Sequence, residues 1–155
     1  MKDAHKEEME NKIKGHGQYN EIAEDEFLPL VTKSKFAIVH FYHKDFERCK
    51  IMDYHLDIIA RQHTETKFAK IDAEKCPFFV SKLAIQMLPT VICFMDGVAF
   101  DRLVGFEELG GKDEFPTLML TRHLVKTGAL KALNKAEKGM KIHKGKKNDS
   151  SDDDD

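Results

Sequence analysis

Apolar residues come in blocks along the chain, and the spacing inside each block changes where one element gives way to the next. Phe36 to Tyr42 (FAIVHFY) is nearly continuous, β-branched and aromatic, interrupted only by His40. A run of that kind, without alternation, suits a strand covered on both faces. From Phe46 the period becomes helical, with Cys49, Met52, Leu56 and Ile59 at steps of three and four. That makes an apolar stripe about three turns long, with Glu47, Lys50, Asp53 and Arg61 largely on the rest of the surface. Thr66 to Ala73 sets Ala69, Ile71 and Ala73 against Lys70 and Asp72 and reads as a strand. Cys76-Pro77 opens a short helix through Leu83, since proline fits a first turn. Thr90 to Met95 and Val98 to Val104 are joined by Asp96-Gly97, the strongest short hairpin signal in the chain.

The flanks are more polar. Met1 to Lys14 predicts a charged helix ending at Gly15-His16-Gly17. Tyr19 to Ile22 predicts a short strand with Tyr19 and Ile22 on opposite faces. Glu24 to Thr32 predicts a helix carrying Phe27, Leu30 and Val31, with Pro29 tolerable if the helix starts a few residues late. Asp113 to Lys126 closes the body as an amphipathic helix, capped by Asp113, with Pro116 in its first turn. The order β-α-β-α-β-α-β-β-α predicts an α/β domain, a mixed sheet sandwiched by helices. The expected domains are a charged helix over 1–14, a body over 15–127, and a disordered Lys-rich then Asp-rich tail over 128–155.

Charge sharpens those boundaries. The net charge of −2 over 155 residues conceals a near-neutral middle between charged blocks. Residues 128–148 hold seven lysines against one glutamate, and the last seven residues hold five aspartates and nothing basic. No stretch approaches the ~18 apolar residues of a membrane span, and the mixed charges of Met1 to Glu10 do not make a secretory signal. Three cysteines with no C-x-x-C spacing fit neither a disulfide framework nor a four-cysteine zinc site. The expected setting is the reducing cytoplasm, with Lys144-Gly145-Lys146-Lys147 a weak nuclear-import-like cluster.

Cys49 is the sharpest chemical candidate. A place in the first turn of a helix beside Arg48 and Lys50 favours a thiolate; heading an apolar stripe favours a buried, inert thiol. Cys93 reads as core, and Cys76 as the more exposed candidate for oxidation. His40 and His43 would lie on opposite faces of a persisting strand, which argues against a shared metal. His16, between two glycines, reads as a turn or docking residue. No Gly-rich phosphate loop and no Ser/His/Asp spacing supports a nucleotide-binding or hydrolase reading, and no cofactor is expected. The Lys131 to Lys147 segment lacks interleaved aromatics, so no nucleic-acid partner is expected. Ser150 and Ser151 each have an aspartate three residues on, a candidate phosphorylation pattern that would add about −1.5 to −2 charges per site.

The element order, with Leu88-Pro89-Thr90 directly before the hairpin, resembles the thioredoxin fold. The resemblance places FYHKDFERCK (Phe41 to Lys50) where thioredoxins carry a strand end and then their dithiol, and makes Pro89 the expected cis-proline. Cys49 then takes the second cysteine's place and Phe46 the first's, where thioredoxins hold the nucleophile. His40 stands where they bury an aspartate. Phe46, Cys49, Pro89 and His40 thus form a degenerate thioredoxin site, expected to lack dithiol–disulfide exchange. GHGQYNEI, TKFAKIDAEKCPFF, DRLVGFEELGGKDEF and the acidic tail narrow the likeness to the phosducin-like proteins, and within them to the group also called thioredoxin-domain-containing protein 9. That group carries a longer charged helix ahead of Gly-His-Gly, so the expected reading is a truncated or short form. The resemblance implies a non-catalytic co-chaperone that binds the cytosolic chaperonin and modulates actin- and tubulin-type folding. The alternatives are a redox protein acting through Cys49 alone and a binder of G-protein βγ subunits.

Overall fold

The computed structural model describes residues 2–139. Helix α1 (Lys2–Ile13) leads into β1 (Tyr19–Glu21), α2 (Glu24–Lys33), β2 (Phe36–Tyr42), α3 (Glu47–Gln62), β3 (Lys67–Asp72) and α4 (Pro77–Lys82). The hairpin β4 (Thr90–Met95) and β5 (Val98–Val104) follows, then α5 (Thr117–Thr127) and a one-turn α6 (Lys135–Lys138). The sheet runs β1-β3-β2-β4-β5, parallel across its first three strands and antiparallel across the last two pairs. This is the expected α/β architecture. Among the described residues no helix is long and apolar enough to cross a membrane.

Alternation along the strands fills two cores. Ile38, Phe68, Val91 and Leu103 face α3 and α5, where they meet Met52, Leu56, Ile59, Leu120 and Leu124. Val39, Phe41, Ile71, Ile92 and Phe94 face the other way and cover Phe27 and Val31 of α2. Every other side chain of β2 and β3 on the α3 side is therefore a neighbour of Ile38 or Phe68, and His40 and Lys70 occupy two such places, paired in register. The hairpin turn needs left-handed backbone at Asp96 (φ 51°) and Gly97 (φ 84°). At Gly97 a Cβ would also stand 2.8 Å from Thr32 Cγ2, so the turn packs on α2 with no room for a side chain.

Helix α2 begins at Glu24 as expected, with Pro29 inside it rather than in its first turn; Glu26 Oε1 accepts the Ala23 N–H at 2.7 Å and secures the start. Two other boundaries differ from expectation. Helix α5 begins at Thr117 rather than Asp113, because proline at 116 holds the residue before it in extended backbone. Phe115 uses that geometry to stack on His55, ring centroids 4.3 Å apart. The tail expected from residue 128 loses its first part to the body: Ala129 and Leu130 are buried in the α3-side core, and Glu137 on α6 is buried too. Gly128 (φ 97°) ends α5 and turns those two residues inward.

Candidate functional site

The chain enters the site from the sheet's centre. Strand β2 ends at Tyr42, Phe46 takes the N-cap position of α3, and Cys49 is the third residue of that helix. Opposite, Phe41 pairs with Thr90, which brings the cis Leu88–Pro89 bond to the same end of β2. Phe46 is 45% exposed, whereas Cys49 is 1% exposed. Burial pushes the Cys49 thiol up, the Asp53 carboxylate one turn later adds to this, and the His43 main chain opposes it. The two neighbouring cations, expected to favour a thiolate, are engaged elsewhere. Arg48 Nε donates to Asp113 Oδ1 at 2.7 Å and its guanidinium lies over the Phe106 ring; Lys50 faces Glu47. Asp113, expected as a helix cap, is instead Arg48's acceptor.

Below the thiol lies a polar cluster that the sequence pattern did not announce. Asp53 Oδ1 accepts from His40 Nδ1 at 3.0 Å and from the Tyr19 hydroxyl at 2.5 Å, while Lys70 Nζ donates to Oδ2 at 3.1 Å. Because an ionised carboxylate only accepts, the His40 proton sits on Nδ1. Its Nε2 is buried without a hydrogen-bond partner among the described residues. Burial lowers the His40 pKa despite Asp53, so the ring is neutral near pH 7. For Asp53 burial would raise the pKa, but hydrogen bonds from His40 and Tyr19 outweigh it and hold the carboxyl below its usual range. Burial and the same carboxylate hold the Tyr19 phenol far above its own. A carboxylate so well supplied with donors has little appetite for another proton, and the cluster acts as an anchor of β1 to α3 rather than as a base.

The structure therefore brings Phe46, Cys49, Pro89 and His40 to one end of the sheet, and adds Tyr19, Asp53 and Lys70. Parallel pairing of β1 with β3 and β3 with β2 makes that gathering possible. The signal that could have found Asp53 is its place at the edge of the apolar stripe, four after Cys49 and three before Leu56, where a polar side chain is half covered. His43 stands apart: Nδ1 accepts the Asp45 N–H at 3.0 Å and Nε2 lies 3.0 Å from Glu74 Oε2.

The other candidates fall into supporting places. Cys76, expected to be the more exposed thiol, is fully buried on the α2 side, where its Sγ–H donates to Asp72 O at 3.4 Å. Its α4 N-cap position turns the sulfur inward, and burial pushes it to about 11. Cys93 lies in the sheet, pushed by burial to about 12. His16 is buried as a clamp, with Nδ1 donating to Thr64 O at 2.6 Å and Nε2 2.7 Å from Ser34 Oγ. Ser150, Ser151 and the Lys144 to Lys147 cluster lie outside the described residues.

A family model described as Thioredoxin matches residues 18–112. Among curated proteins, the chain is 56% identical over 126 residues to thioredoxin domain-containing protein PLP3B of Arabidopsis thaliana, covering 81% of this chain and 55% of that protein. It is 50% identical over 115 residues to phosducin-like protein 3 of Dictyostelium discoideum, covering 74% of this chain and 62% of that one. The chain thus spans little more than half the length of these relatives. Among solved structures, oxidised thioredoxin from Plasmodium falciparum superposes with a TM-score of 0.59 at 20% identity, covering 70% of this chain and 97% of that one.

Proposed function

The chain belongs to the thioredoxin family, its relatives carry phosducin-like names, and from that premise we propose that it is a non-catalytic docking protein. On this reading it is a co-chaperone that binds the cytosolic chaperonin in the cytoplasm and modulates folding of actin- and tubulin-type clients. The observation that carries the reading is the pair Phe46 and Cys49 at the head of α3. Dithiol exchange needs one thiolate to attack a substrate disulfide and a second thiol to resolve the mixed disulfide. Phe46 offers carbon where the attack would begin. Cys49 offers a sulfur that is sealed and held as a thiol. Cys76 and Cys93 are buried as well. What this end presents to solvent is apolar and charged surface together: Phe46 and Met87 beside Lys44, Asp45, Glu47 and Lys50. Distributed contacts of that mixed kind suit docking on a large partner.

The test pairs a binding measurement with an activity measurement. Purified chaperonin is expected to retain the chain at low salt and to release it as salt rises. Insulin reduction is expected to stay at background and to be unaffected by Cys49→Ser. Robust reduction abolished by Cys49→Ser would replace this reading with the single-cysteine redox one. Retention by G-protein βγ subunits with no binding to chaperonin would replace it with the third.

A further inference from the structure

The segment after α5 is held down by a buried imidazole set between two carboxylates. His63, the residue after α3, is fully sealed, with Nδ1 2.8 Å from Glu65 Oε2 and Nε2 3.0 Å from Glu137 Oε1. Glu65 lies in the turn before β3 and Glu137 on α6. Each carboxylate also accepts a main-chain N–H from the stretch between α5 and α6: Lys131 to Glu65 Oε2 at 3.0 Å, Leu133 to Glu137 Oε1 at 2.9 Å. Thr66 Oγ1 donates to Ala129 O at 2.6 Å, and Ala129 and Leu130 fill the core beneath.

Proton counting fixes what this arrangement requires. Ionised carboxylates only accept, while a neutral imidazole has one N–H and one lone pair. A neutral His63 would turn that lone pair on one of its two carboxylates. Only the imidazolium offers a proton to each side, hydrogen-bonding Glu65 through Nδ1 and facing Glu137 through Nε2 as a 3.0 Å ion pair outside hydrogen-bond geometry. We propose that residues 129–139 are a proton-latched strap: with His63 protonated the segment lies on the body, and loss of that proton loosens it.

The local charges act in the same direction. Burial alone would lower the imidazole pKa, but Glu65 and Glu137 outweigh it and hold it above the ordinary value. Four other titratable or charged groups on the segments packed around it are engaged elsewhere, and Lys126 on α5 is exposed. On α3, Arg61 pairs with Asp57; on β3, Lys67 Nζ donates to Gly15 O. On α5, Arg122 Nε donates to Ala136 O, and His16 is taken up by Thr64 and Ser34. Lys131, Lys135 and Lys138 are exposed on the strap's outer side. A raised pKa in the docked state means that docking is favoured below the free imidazole's ~6.5 and lost as pH climbs through the raised value.

The experiment is residue-resolved amide exchange on the full chain from pH 6 to pH 8.5, corrected for intrinsic rates, alongside NMR titration of the His63 ring. Protection at Lys131 and Leu133 is expected to fall relative to Ile38 and Val39 as the ring deprotonates. The fall should be on the order of tenfold for each pH unit separating the docked and released titrations. Glu137→Gln keeps an acceptor for the Leu133 N–H but removes one charge, and it should lower the ring's titration point and shrink that fall. Protection at Lys131 and Leu133 that tracks Ile38 across the range would overturn the proposal. So would a His63 titration at or below that of an ordinary histidine, or one unmoved by Glu137→Gln.

Discussion

His40 and His63 are equally sealed from water, and protons meet them in opposite ways. His40 has one carboxylate, Asp53, already shared with the Tyr19 hydroxyl and the Lys70 ammonium. Its Nε2 makes no hydrogen bond among the described residues, and neither does that of His63; the difference is that Glu137 Oε1 stands 3.0 Å from the His63 Nε2. Burial prevails at His40, and the ring is kept neutral. His63 has a carboxylate at each nitrogen, and these prevail over burial. His40 also lies deeper in the body than His63, so depth and partners together decide the charge. A covered histidine is made a neutral spacer or a charged clasp by how deep it sits and by whether its acceptors are already in use.

Removing the shared acceptor should have the largest effect. Asp53→Ala leaves the Tyr19 hydroxyl, His40 Nδ1–H and Lys70 without their common partner, and a loss of about 3 kcal/mol is expected in urea unfolding. A loss under about 1 kcal/mol would mean that water replaces the carboxylate freely and that the cluster anchors nothing.

The comparison itself predicts opposite pH slopes. The folded pKa of His63 is raised, so the stability advantage of the wild type over His63→Gln should shrink as pH rises above ~6.5. That of His40 is lowered, so the advantage over His40→Gln should grow as pH rises toward ~6.5 from below and level off above it. Differential scanning calorimetry at pH 5.5, 7 and 8.5 reads both slopes; parallel curves would erase the distinction.

Smaller effects locate its edges. Thr66→Val removes the hydroxyl donor to Ala129 O while keeping the shape, and about 1 kcal/mol is expected, measured at pH 6 where the strap is docked. Arg48→Ala removes a more exposed ion pair and a contact over Phe106. It should cost about 0.5–1 kcal/mol, whatever the state of either histidine. If it matches Asp53→Ala in chemical denaturation, burial is not what sets the scale.

Much of this molecule could be read from its residues in order. The Phe46 to Ile59 period, the Asp96-Gly97 turn and the Leu88-Pro89 loop are local signals, and each element they predicted is present. The polar cluster was not legible, because Tyr19, His40, Asp53 and Lys70 lie on four different elements and meet only through parallel pairing. Asp53 read as a solvent-facing residue because its neighbours Lys50 and Asp57 are charged too. The strap was hidden by composition: Lys131, Lys135 and Lys138 made the segment look like solvated tail. The contrary signal was Ala129-Leu130 directly after a helix-ending glycine, a place where apolar residues commonly fold back on the helix.

The sheet also implies an order of assembly. Strands β4 and β5 close over two residues, whereas β1 finds its strand neighbour among the described residues, β3, roughly fifty residues further along. Hairpins form in microseconds, and the entropy of closing a long loop delays distant pairings. Pulse labelling during refolding should therefore protect Val91 to Met95 before Asn20, with Tyr19 arriving at a body whose other layers are already in place.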